Sequence, residues 1–393
     1  MMKKLIVLLA AFAMVGAFVA TAIADVQLYG SARMRTYWVD KTKEFSHTGY
    51  DDTDFTNELG WLTRFGANFK SDKMTGKFEL DARPGIHGDY GNEFANTAEG
   101  FGHTAGSSHV GNMRLRHLWG EYDFGTFKLS VGQRFPLYDA PVSGINFFSG
   151  GLQEFGGIGY LLARTSQIRF TFGDFKIAFM EPNTLDGGVT GYTSDIDTSL
   201  PKVEIRYDLK IDPVNMSFIA GYQTYDGVSA GDETKSINSY VLGFRGMTNF
   251  GPAYVKLALS YRVNGDNYGA WNHGDGGDAA KKISTYAKAT IEGGDVKDST
   301  EYGGVLVLGY KINDMVGIEG SYGYIHAEQD TTLDNKNDAA VYGVILPIKV
   351  APGVSIVPEY IYIDEKDHTA NGGDSVDDGN VQIFGLFWKI DFK

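Results

Sequence analysis

The 393-residue chain contains no cysteine, which excludes a disulfide framework and thiolate metal sites. Basic residues are scarce, because 35 Lys and Arg stand against 49 Asp and Glu, and this excess of acid argues against a nucleic-acid partner. After the N-terminal 24 residues, no continuous apolar stretch is as long as a transmembrane helix requires. Any fold of this chain must therefore be indicated by short-range patterns in its sequence.

Glycine and aromatic residues are abundant, with 51 Gly, 23 Tyr and 25 Phe. Such a composition favours strands joined by tight turns over helices. The length alone would allow two or three soluble domains. We therefore looked for alternating segments that could belong to one large sheet or to several small ones.

The N-terminus has the organisation of an export signal. Lys3 and Lys4 precede an apolar run, which ends in the small-x-small sequence Ala22-Ile23-Ala24. We predict cleavage between Ala24 and Asp25, so that residues 1–24 form a cleaved signal peptide. The alternative is a retained membrane anchor, because the stretch 5–24 is just long enough to span a bilayer.

The segment 203–211, VEIRYDLKI, alternates apolar and charged residues without a break. In an extended strand, alternate side chains point to opposite faces, so one face is apolar and the other is ionic. Sixteen segments show strand alternation between turn residues. They span 26–38, 59–70, 76–84, 110–124, 126–135, 164–172, 175–181, 202–210, 214–225, 238–248, 253–263, 301–312, 315–327, 338–349, 353–364 and 380–392.

The connections between these segments alternate in length. Seven are short, such as GD at 173–174 and APG at 351–353. The others are mostly long: 39–58, 85–109, 136–163, 182–201, 226–237, 264–300, 328–337 and 365–379. Outer-membrane barrels combine an even strand count with short turns at one end and long loops at the other, and only a closed sheet can cross a bilayer.

We therefore predict an all-β fold, a 16-stranded antiparallel up-and-down transmembrane β-barrel formed by residues 25–393. A soluble sandwich or propeller would not need this parity of loop length. In the barrel, the apolar face of 203–211 meets lipid and its ionic face meets water, and sixteen strands leave room for an aqueous channel.

The segment 110–124 fits the alternation poorly. If Arg114 and Arg116 face the barrel interior, Glu121 falls on the outer face. A β-bulge, or burial of Glu121 at a subunit contact, would remove the conflict. The sequence alone leaves both explanations open.

The third long connection, 136–163, is unusually rich in apolar and small residues. A loop in outside water has no need of Ile145, Phe147, Phe148 and Phe155, whereas one folded into the barrel must pack against its wall. We therefore predict that this loop lies inside the barrel.

Here the chain resembles the general bacterial outer-membrane porin family of Gram-negative cells. The resemblance covers the signal peptide, the opening VQLYG at 26–30, the strand pattern and the third loop. Its most specific part is Glu154-Phe155-Gly156-Gly157, which is similar to the PEFGG motif of the porin constriction loop, with Gln153 in place of Pro.

The resemblance implies a homotrimer, with an acid of the 136–163 constriction loop projecting into the narrowest part of the channel. That acid would be Glu154, and Asp139 is the candidate for a second loop acid. Porins carry an arginine cluster on the opposite wall, and the matching positions here are Arg33, Arg35, Arg64, Arg83, Arg116 and Arg134. Acid and guanidinium groups across a narrow slot create a transverse field that favours polar solutes.

The implied function is passive diffusion of small hydrophilic solutes and ions through a water-filled channel. The alternative is a substrate-selective channel for phosphate, sugars or carboxylates on the same barrel. Mixed charges on the inward positions favour the general pore, and the acidic outer loops predict a bias towards cations at low salt. No Ser/His/Asp set stands out at one rim, so we do not expect an enzyme.

No cofactor is expected. The Asp-rich stretches 264–280 and 367–380 are candidates for weak Ca²⁺ or Mg²⁺ binding, since these ions prefer oxygen ligands, but solvated external loops are the simpler interpretation. The predicted partners are outer-membrane lipid, lipopolysaccharide, small polar solutes and ions, with no nucleic acid. The predicted location is the Gram-negative outer membrane, reached by export through the cleaved signal peptide.

Overall fold

A computed structural model of the protein describes residues 25–46, 50–60, 63–81, 114–148, 150–159, 164–183, 192–229, 234–270, 286–332, 335–366, 368–369 and 376–393. These residues form 21 strands and two short helices. In the described part of the chain, no helix is long and apolar enough to cross a membrane. The predicted signal peptide lies outside the described residues.

The strands of the first half are β1 Asp25–Lys41, β2 Asp52–Leu59, β3 Arg64–Lys70, β4 Met74–Asp81, β5 Arg114–Asp123, β6 Lys128–Arg134, β7 Thr165–Phe172, β8 Phe175–Met180, β9 Tyr192–Asp197 and β10 Lys202–Ile211. Those of the second half are β11 Val214–Ser229, β12 Thr234–Phe250, β13 Ala253–Val263, β14 Thr290–Glu292, β15 Asp295–Lys297, β16 Ser299–Lys311, β17 Gly317–Gln329, β18 Lys336–Ile345, β19 Ile348–Ala351, β20 Val354–Glu365 and β21 Asn380–Phe392. The helices are α1 Lys43–Ser46 and α2 Gly265–Tyr268.

These elements close into a barrel of sixteen antiparallel strands, as predicted. Three barrel strands are each interrupted once, giving the pairs β2 and β3, β9 and β10, and β18 and β19, whereas β14 and β15 form a separate hairpin. The first and last strands pair from Gly30 with Phe392 to Lys41 with Val381, which leaves no open edge.

The two faces of the wall differ as the alternation predicts. On β10, Ile205 and Tyr207 lie on the exposed outer face, whereas Lys202 and Glu204 are fully buried inside. Outward apolar side chains recur around the barrel, as expected of a surface that faces the hydrocarbon of a lipid bilayer. The hydrophobic core lies inside, between the third long loop and part of the inner wall.

A β-bulge resolves the conflict in β5. The register with β4 shifts between Glu79, which pairs with His117, and Leu80, which pairs with Leu115, so Arg116 is the extra residue. Two residues of a bulge face one residue of the partner strand, and alternation resumes in the other phase afterwards. Consequently Glu121 also points inward, where it pairs with Arg134 at 3.2 Å.

Several predicted loops were too long. The range 226–237 is mostly strand, since β11 runs to Ser229 and β12 starts at Thr234, and the ranges 39–58 and 182–201 contain β2 and β9. At the barrel ends both faces of a strand can meet water, so polar residues occupy both and the apolar alternation that marks a strand is lost.

Candidate functional site

The loop 136–159 lies against the inner wall, and carboxylates of the wall hold its backbone. Glu359 accepts hydrogen bonds from the backbone N–H groups of Asn146 and Phe147 at 2.8 and 2.9 Å. Glu319 accepts one from the Gly144 N–H, and Glu204 accepts one from Tyr138 at 2.8 Å. An irregular loop leaves its N–H groups without strand partners, and these acids supply charge-assisted ones.

The apolar side chains of the loop pack over glycines that face inward. A Cβ atom at Gly323 would lie 3.0 Å from the Phe155 Cβ, and one at Gly243 would lie 3.0 Å from the Ile158 Cδ1. Gly343 stands in the same way beneath the Ile145 side chain. Because these wall positions carry no side chain, the loop can lie close to the sheet.

Gly156 explains the Gly-Gly part of the loop motif. Its φ of 82° lies in the left-handed region, and a Cβ there would overlap the carbonyl oxygen of Tyr324. Its own carbonyl accepts a hydrogen bond from the Ser260 hydroxyl at 2.8 Å. At this point the loop backbone rests directly on the backbone of the wall, beside Gly303.

A buried ionic cluster lies beneath the same part of the loop. Arg262 donates to the Gly157 carbonyl at 2.6 Å and to the Tyr138 hydroxyl at 3.2 Å, and it pairs with Glu301 at 3.3 Å. Both charged side chains are fully buried. A buried guanidinium group must be paired and hydrogen-bonded, and here the loop provides some of its hydrogen-bond acceptors.

A second segment, 264–270, also folds inward. The Tyr268 hydroxyl donates to Glu204 at 2.9 Å, and Lys202 donates to the Tyr268 carbonyl at 2.6 Å. All of the residues from Asn264 to Tyr268 are buried. The interpretation of 264–280 as a solvated external loop was therefore wrong for residues 264–270, because their polar groups find partners inside the barrel.

Across the barrel, a group of cations surrounds two carboxylates. Glu79 pairs with Arg116 at 2.6 Å, with Lys77 at 3.2 Å and with Arg64 at 3.4 Å. Asp81 pairs with Arg114 at 3.5 Å and with Arg116 at 3.6 Å. We call Arg33, Arg64, Lys77, Arg114 and Arg116 the cationic wall. Its central strand β4 is the third of sixteen, and β13 beneath the loop is the eleventh, half a turn away.

Water reaches Arg64, Lys77 and Arg114 of this wall better than its acids, whereas Arg116 is as buried as the acids are. The Arg64 and Arg114 side chains are 27% and 37% exposed, whereas those of Glu79 and Asp81 are 1% and 2% exposed. On the loop side, Glu204, Glu319 and Glu359 are covered by the loop that they hold. The inward surface is therefore more positive towards the lumen than the count of charged residues suggests.

The other predicted site residues have diverse contacts. Arg33 donates to the Ser31 hydroxyl at 2.9 Å. Arg35 pairs with Glu58 and donates to the Phe147 carbonyl of the loop at 2.9 Å. Arg134 pairs with Glu121 and stacks over the Trp119 ring at 4.2 Å.

Two predicted site residues belong to the loop itself. Asp139 accepts a hydrogen bond from the Gln153 side chain, which also donates to the Ile158 carbonyl at 2.7 Å, so this acid braces the loop internally. Glu154 is buried, with 7% of its surface exposed. Arg83 lies outside the described residues. The roles of all the predicted site residues in a constriction stay predictions.

Sequence reasoning missed two kinds of site residue. Glu204, Glu319 and Glu359 belong to the mixed inward charges that favour a general pore, because the alternation predicts the inward direction of a side chain but not the loop that covers it. The inward glycines, such as Gly323 and Gly343, were not singled out. A signal was present, since glycine is unfavourable inside a strand unless another backbone or side chain approaches closely.

Among the described residues, no group of three or more His, Cys, Asp or Glu side chains could hold a metal ion. The residues 271–285 and 370–375, which contain much of the two Asp-rich stretches, lie outside the described part of the chain.

A family model for the Gram-negative porins matches residues 8–368, which is most of the chain. The chain belongs to the Gram-negative porin family. A porin barrel is an outer-membrane channel for small solutes, and this porin therefore spans the outer membrane as a multi-pass β-barrel. No curated protein matches the sequence.

Solved structures agree with the fold of this porin. The outer-membrane channel DcaP of Acinetobacter baumannii is 17% identical, with a TM-score of 0.62, over 94% of this chain and 97% of that one. A trimer form of OmpT from Vibrio cholerae is 15% identical, with a TM-score of 0.58, over 94% and 99% of the two chains. An anion-selective porin from Comamonas acidovorans is 13% identical, with a TM-score of 0.56, over 94% and 99%.

Proposed function

We propose that this porin is a homotrimeric channel through which small hydrophilic solutes and ions diffuse passively, and that the loop 136–163 narrows its lumen. The observation that carries the proposal is the anchoring of this loop to the inner wall by Glu204, Glu319 and Glu359, opposite the cationic wall. Loop and cations then face each other across the remaining water, which gives the slot a transverse field. The proposal includes no catalytic step.

The accessible charges support a preference for anions within this channel. The acids of the cationic wall are buried beneath their guanidinium partners, and Lys256, at 22% exposure, covers Glu319 at 3% in the same way. This arrangement opposes the cation bias predicted from the acidic outer loops, because an ion meets the narrow part of the pore at closer range than the loops. One structural relative is an anion-selective porin.

A planar-bilayer measurement of the reversal potential in a KCl gradient tests the proposal. We expect a single open level of stable conductance and a potential of the sign that chloride preference gives. The loop-deletion variant lacking 144–158 should conduct more and pass larger sugars in liposome swelling. Unchanged conductance and size limit in that variant would show that the loop does not narrow the pore.

The second candidate function is a substrate-selective channel on the same barrel. The density of cations around Glu79 and Asp81 favours an anionic solute for it. Swelling rates separate the two candidates. In a general pore, neutral and anionic solutes of equal size enter at similar rates, and both rates decrease as the solutes become larger. A selective channel passes one of the two classes far faster than the other.

The trimer and the processing of the chain have simple tests. An unheated sample on a detergent gel should migrate as a larger species than a boiled one, and chemical cross-linking in detergent should stop at three chains. N-terminal sequencing of protein from isolated outer membranes should begin at Asp25. In that location, lipid and lipopolysaccharide would cover the apolar outer face.

A further inference from the structure

The bulge in β5 brings two consecutive side chains, Arg116 and His117, to the inside of the barrel. Both are buried, with 1% and 4% of their surface exposed. Phe135 lies beside them, since its ring centroid is 5.0 Å from that of His117. The guanidinium group of Arg164 lies over the same Phe135 ring, with its carbon 4.3 Å from the ring centroid.

Arg164 is the unusual member of this group. It immediately follows the constriction loop, only 6% of its surface is exposed, and with the described residues it makes neither a hydrogen bond nor an ion pair. The charged groups around it are Arg116, Arg114, Asp139 and Glu79. Burial, together with the neighbouring guanidinium groups of Arg116 and Arg114, lowers the pKa of Arg164 well below its usual range.

Other buried nitrogen atoms of the group also lack a partner. The Arg164 Nε, the Arg116 Nη2 and the His117 Nδ1 are buried without a hydrogen-bond partner among the described residues. A buried donor that lacks a partner costs free energy, and a charged donor costs most. The guanidinium donors of Arg116 and Arg164, on neighbouring side chains, indicate that something with acceptor oxygens completes the group.

The charge balance points to the same kind of ligand. Arg64, Lys77, Arg114, Arg116 and Arg164 are five cations in contact with, or next to, three carboxylates of the described residues, Glu79, Asp81 and Asp139. An anion lowers the repulsion among these cations, whereas a water molecule supplies hydrogen bonds without charge. Guanidinium groups match oxyanions best, because their donors lie in a planar fork.

We propose that Arg116, His117 and Arg164 form a binding site for a small oxyanion, a phosphate or a carboxylate group, at the base of the constriction loop. The inference deepens the proposed function, on which it rests, by naming the solute class that would pause in the pore. A solute that binds on its way through gives a saturable flux, because occupied channels cannot accept a second ion at the same place.

Calorimetry tests the site without any need for conduction. Inorganic phosphate, and in a second arm succinate, is titrated into the folded trimer in detergent at low salt, where electrostatic binding is least screened. We expect saturable binding to the wild type. Arg164→Gln should weaken it by about tenfold or more, the effect of one lost charge-assisted hydrogen bond, and Arg164→Lys should fall between the two.

The matched control is Arg245→Gln. Arg245 also faces the lumen with a buried, unpartnered Nε, but it lies on β12, and the charged groups beside it are Arg206 and Asp208. This variant should bind phosphate with an affinity within about twofold of that of the wild type, since loss of one distant charge changes the electrostatic attraction only weakly. Equal losses in the two variants would refute a local site, and so would the absence of binding to the wild type.

Conductance in planar bilayers, measured beside the calorimetry, distinguishes failure of the oxyanion site from failure of the channel. If the channel conducts chloride normally but calorimetry detects neither phosphate nor succinate, the diffusion channel stands and the oxyanion site is wrong. If phosphate binds with the expected Arg164 dependence but the protein does not conduct, the site stands and the channel proposal fails. Binding of only one of the two probes identifies which oxyanion the site takes.

Discussion

The two halves of the inner wall use inward carboxylates in opposite ways. On the loop-bearing half, Glu359 and Glu319 accept hydrogen bonds from backbone N–H groups of the loop. On the other half, Glu79 and Asp81 lie beneath guanidinium groups whose outer edges remain exposed. An acid at an inward position therefore anchors the loop in one half and holds cations in place in the other.

The sign of a pore surface is therefore decided by the access of water to its charged groups rather than by the number of charges of each sign. In both halves the carboxylates are covered, chiefly by loop backbone in one half, where Lys256 also pairs with Glu319, and by guanidinium groups in the other.

The largest effect is expected at the contact between loop and wall. Gly156→Ala adds a methyl group that overlaps the Tyr324 carbonyl, and overpacking of this kind costs about 1–3 kcal/mol. We expect the loop to detach in part, so that single-channel conductance rises and the trimer melts at a lower temperature. Gly173→Ala is the control, because its φ of 58° is also left-handed but nothing lies within 4 Å of the added atom. If conductance and melting temperature change equally in the two variants, backbone strain rather than loss of the contact between loop and wall causes the change.

Removal of one loop anchor should have the next largest effect. Glu359→Gln takes away the charge that receives the N–H groups of Asn146 and Phe147 and the hydroxyl of Tyr37, and each charge-assisted bond is worth about 1.5–3 kcal/mol. We expect a noisier open level and faster cleavage of the loop by added protease. Glu121→Gln breaks a pair on the other half of the wall and should change neither reading.

Glu154→Gln should have a smaller effect. The substitution keeps the size of the side chain and removes one negative charge from the loop opposite the cationic wall. The reversal potential should shift modestly towards anions, while conductance changes little because the loop backbone sets the width. An unchanged reversal potential would mean that this buried acid does not contribute to the field in the pore.

The smallest effect concerns pH. Burial raises the pKa of Asp139 to about 6, and its charged neighbours are Arg164, Glu204 and Arg206. Between pH 7 and pH 5 this loop carboxylate takes up a proton, so the anion preference should rise as the pH falls. Because the pKa is raised in the folded protein, the group also favours the folded state at low pH, and this contribution is lost as the pH rises through about 6.

Two variants sharpen the pH measurement. Asp139→Asn should remove the part of the shift in reversal potential that lies between pH 7 and pH 5. Asp174→Asn, which changes an exposed carboxylate in a short turn, should leave that shift as it is in the wild type. A pH response that persists in full in Asp139→Asn would belong to another group.

Much of the barrel was predictable because a bilayer imposes strict rules on a sheet. The sixteen strands and the alternation of short and long connections follow from outward apolar positions such as Ile205 and Tyr207. The strand ends at 226–237 were not predictable from alternation, since both faces of a strand meet water there. The bulge at Arg116 was suspected from Glu121, but only the pairing with β4 selects it over a subunit contact.

The candidate site was less predictable. The Glu-Phe-Gly-Gly motif located the loop, and the inward arginines located the wall. What covers an inward residue depends on a loop that is distant in sequence, so the anchoring of Glu319 and Glu359 could not be predicted. Arg164 begins the predicted strand 164–172, but alternation gives only the direction of a side chain and not what surrounds it, so this residue was not singled out.

The carboxylate of Glu204 connects two loops inside the barrel. One oxygen accepts the Tyr138 N–H and the other accepts the Tyr268 hydroxyl, so two loops 130 residues apart share a single acceptor group. Opening of either loop therefore changes the free energy of opening the other, and such linkage acts equally in both directions. A ligand that displaces the segment 264–270 would therefore loosen the constriction loop, and a solute that steadies the constriction loop would steady that segment.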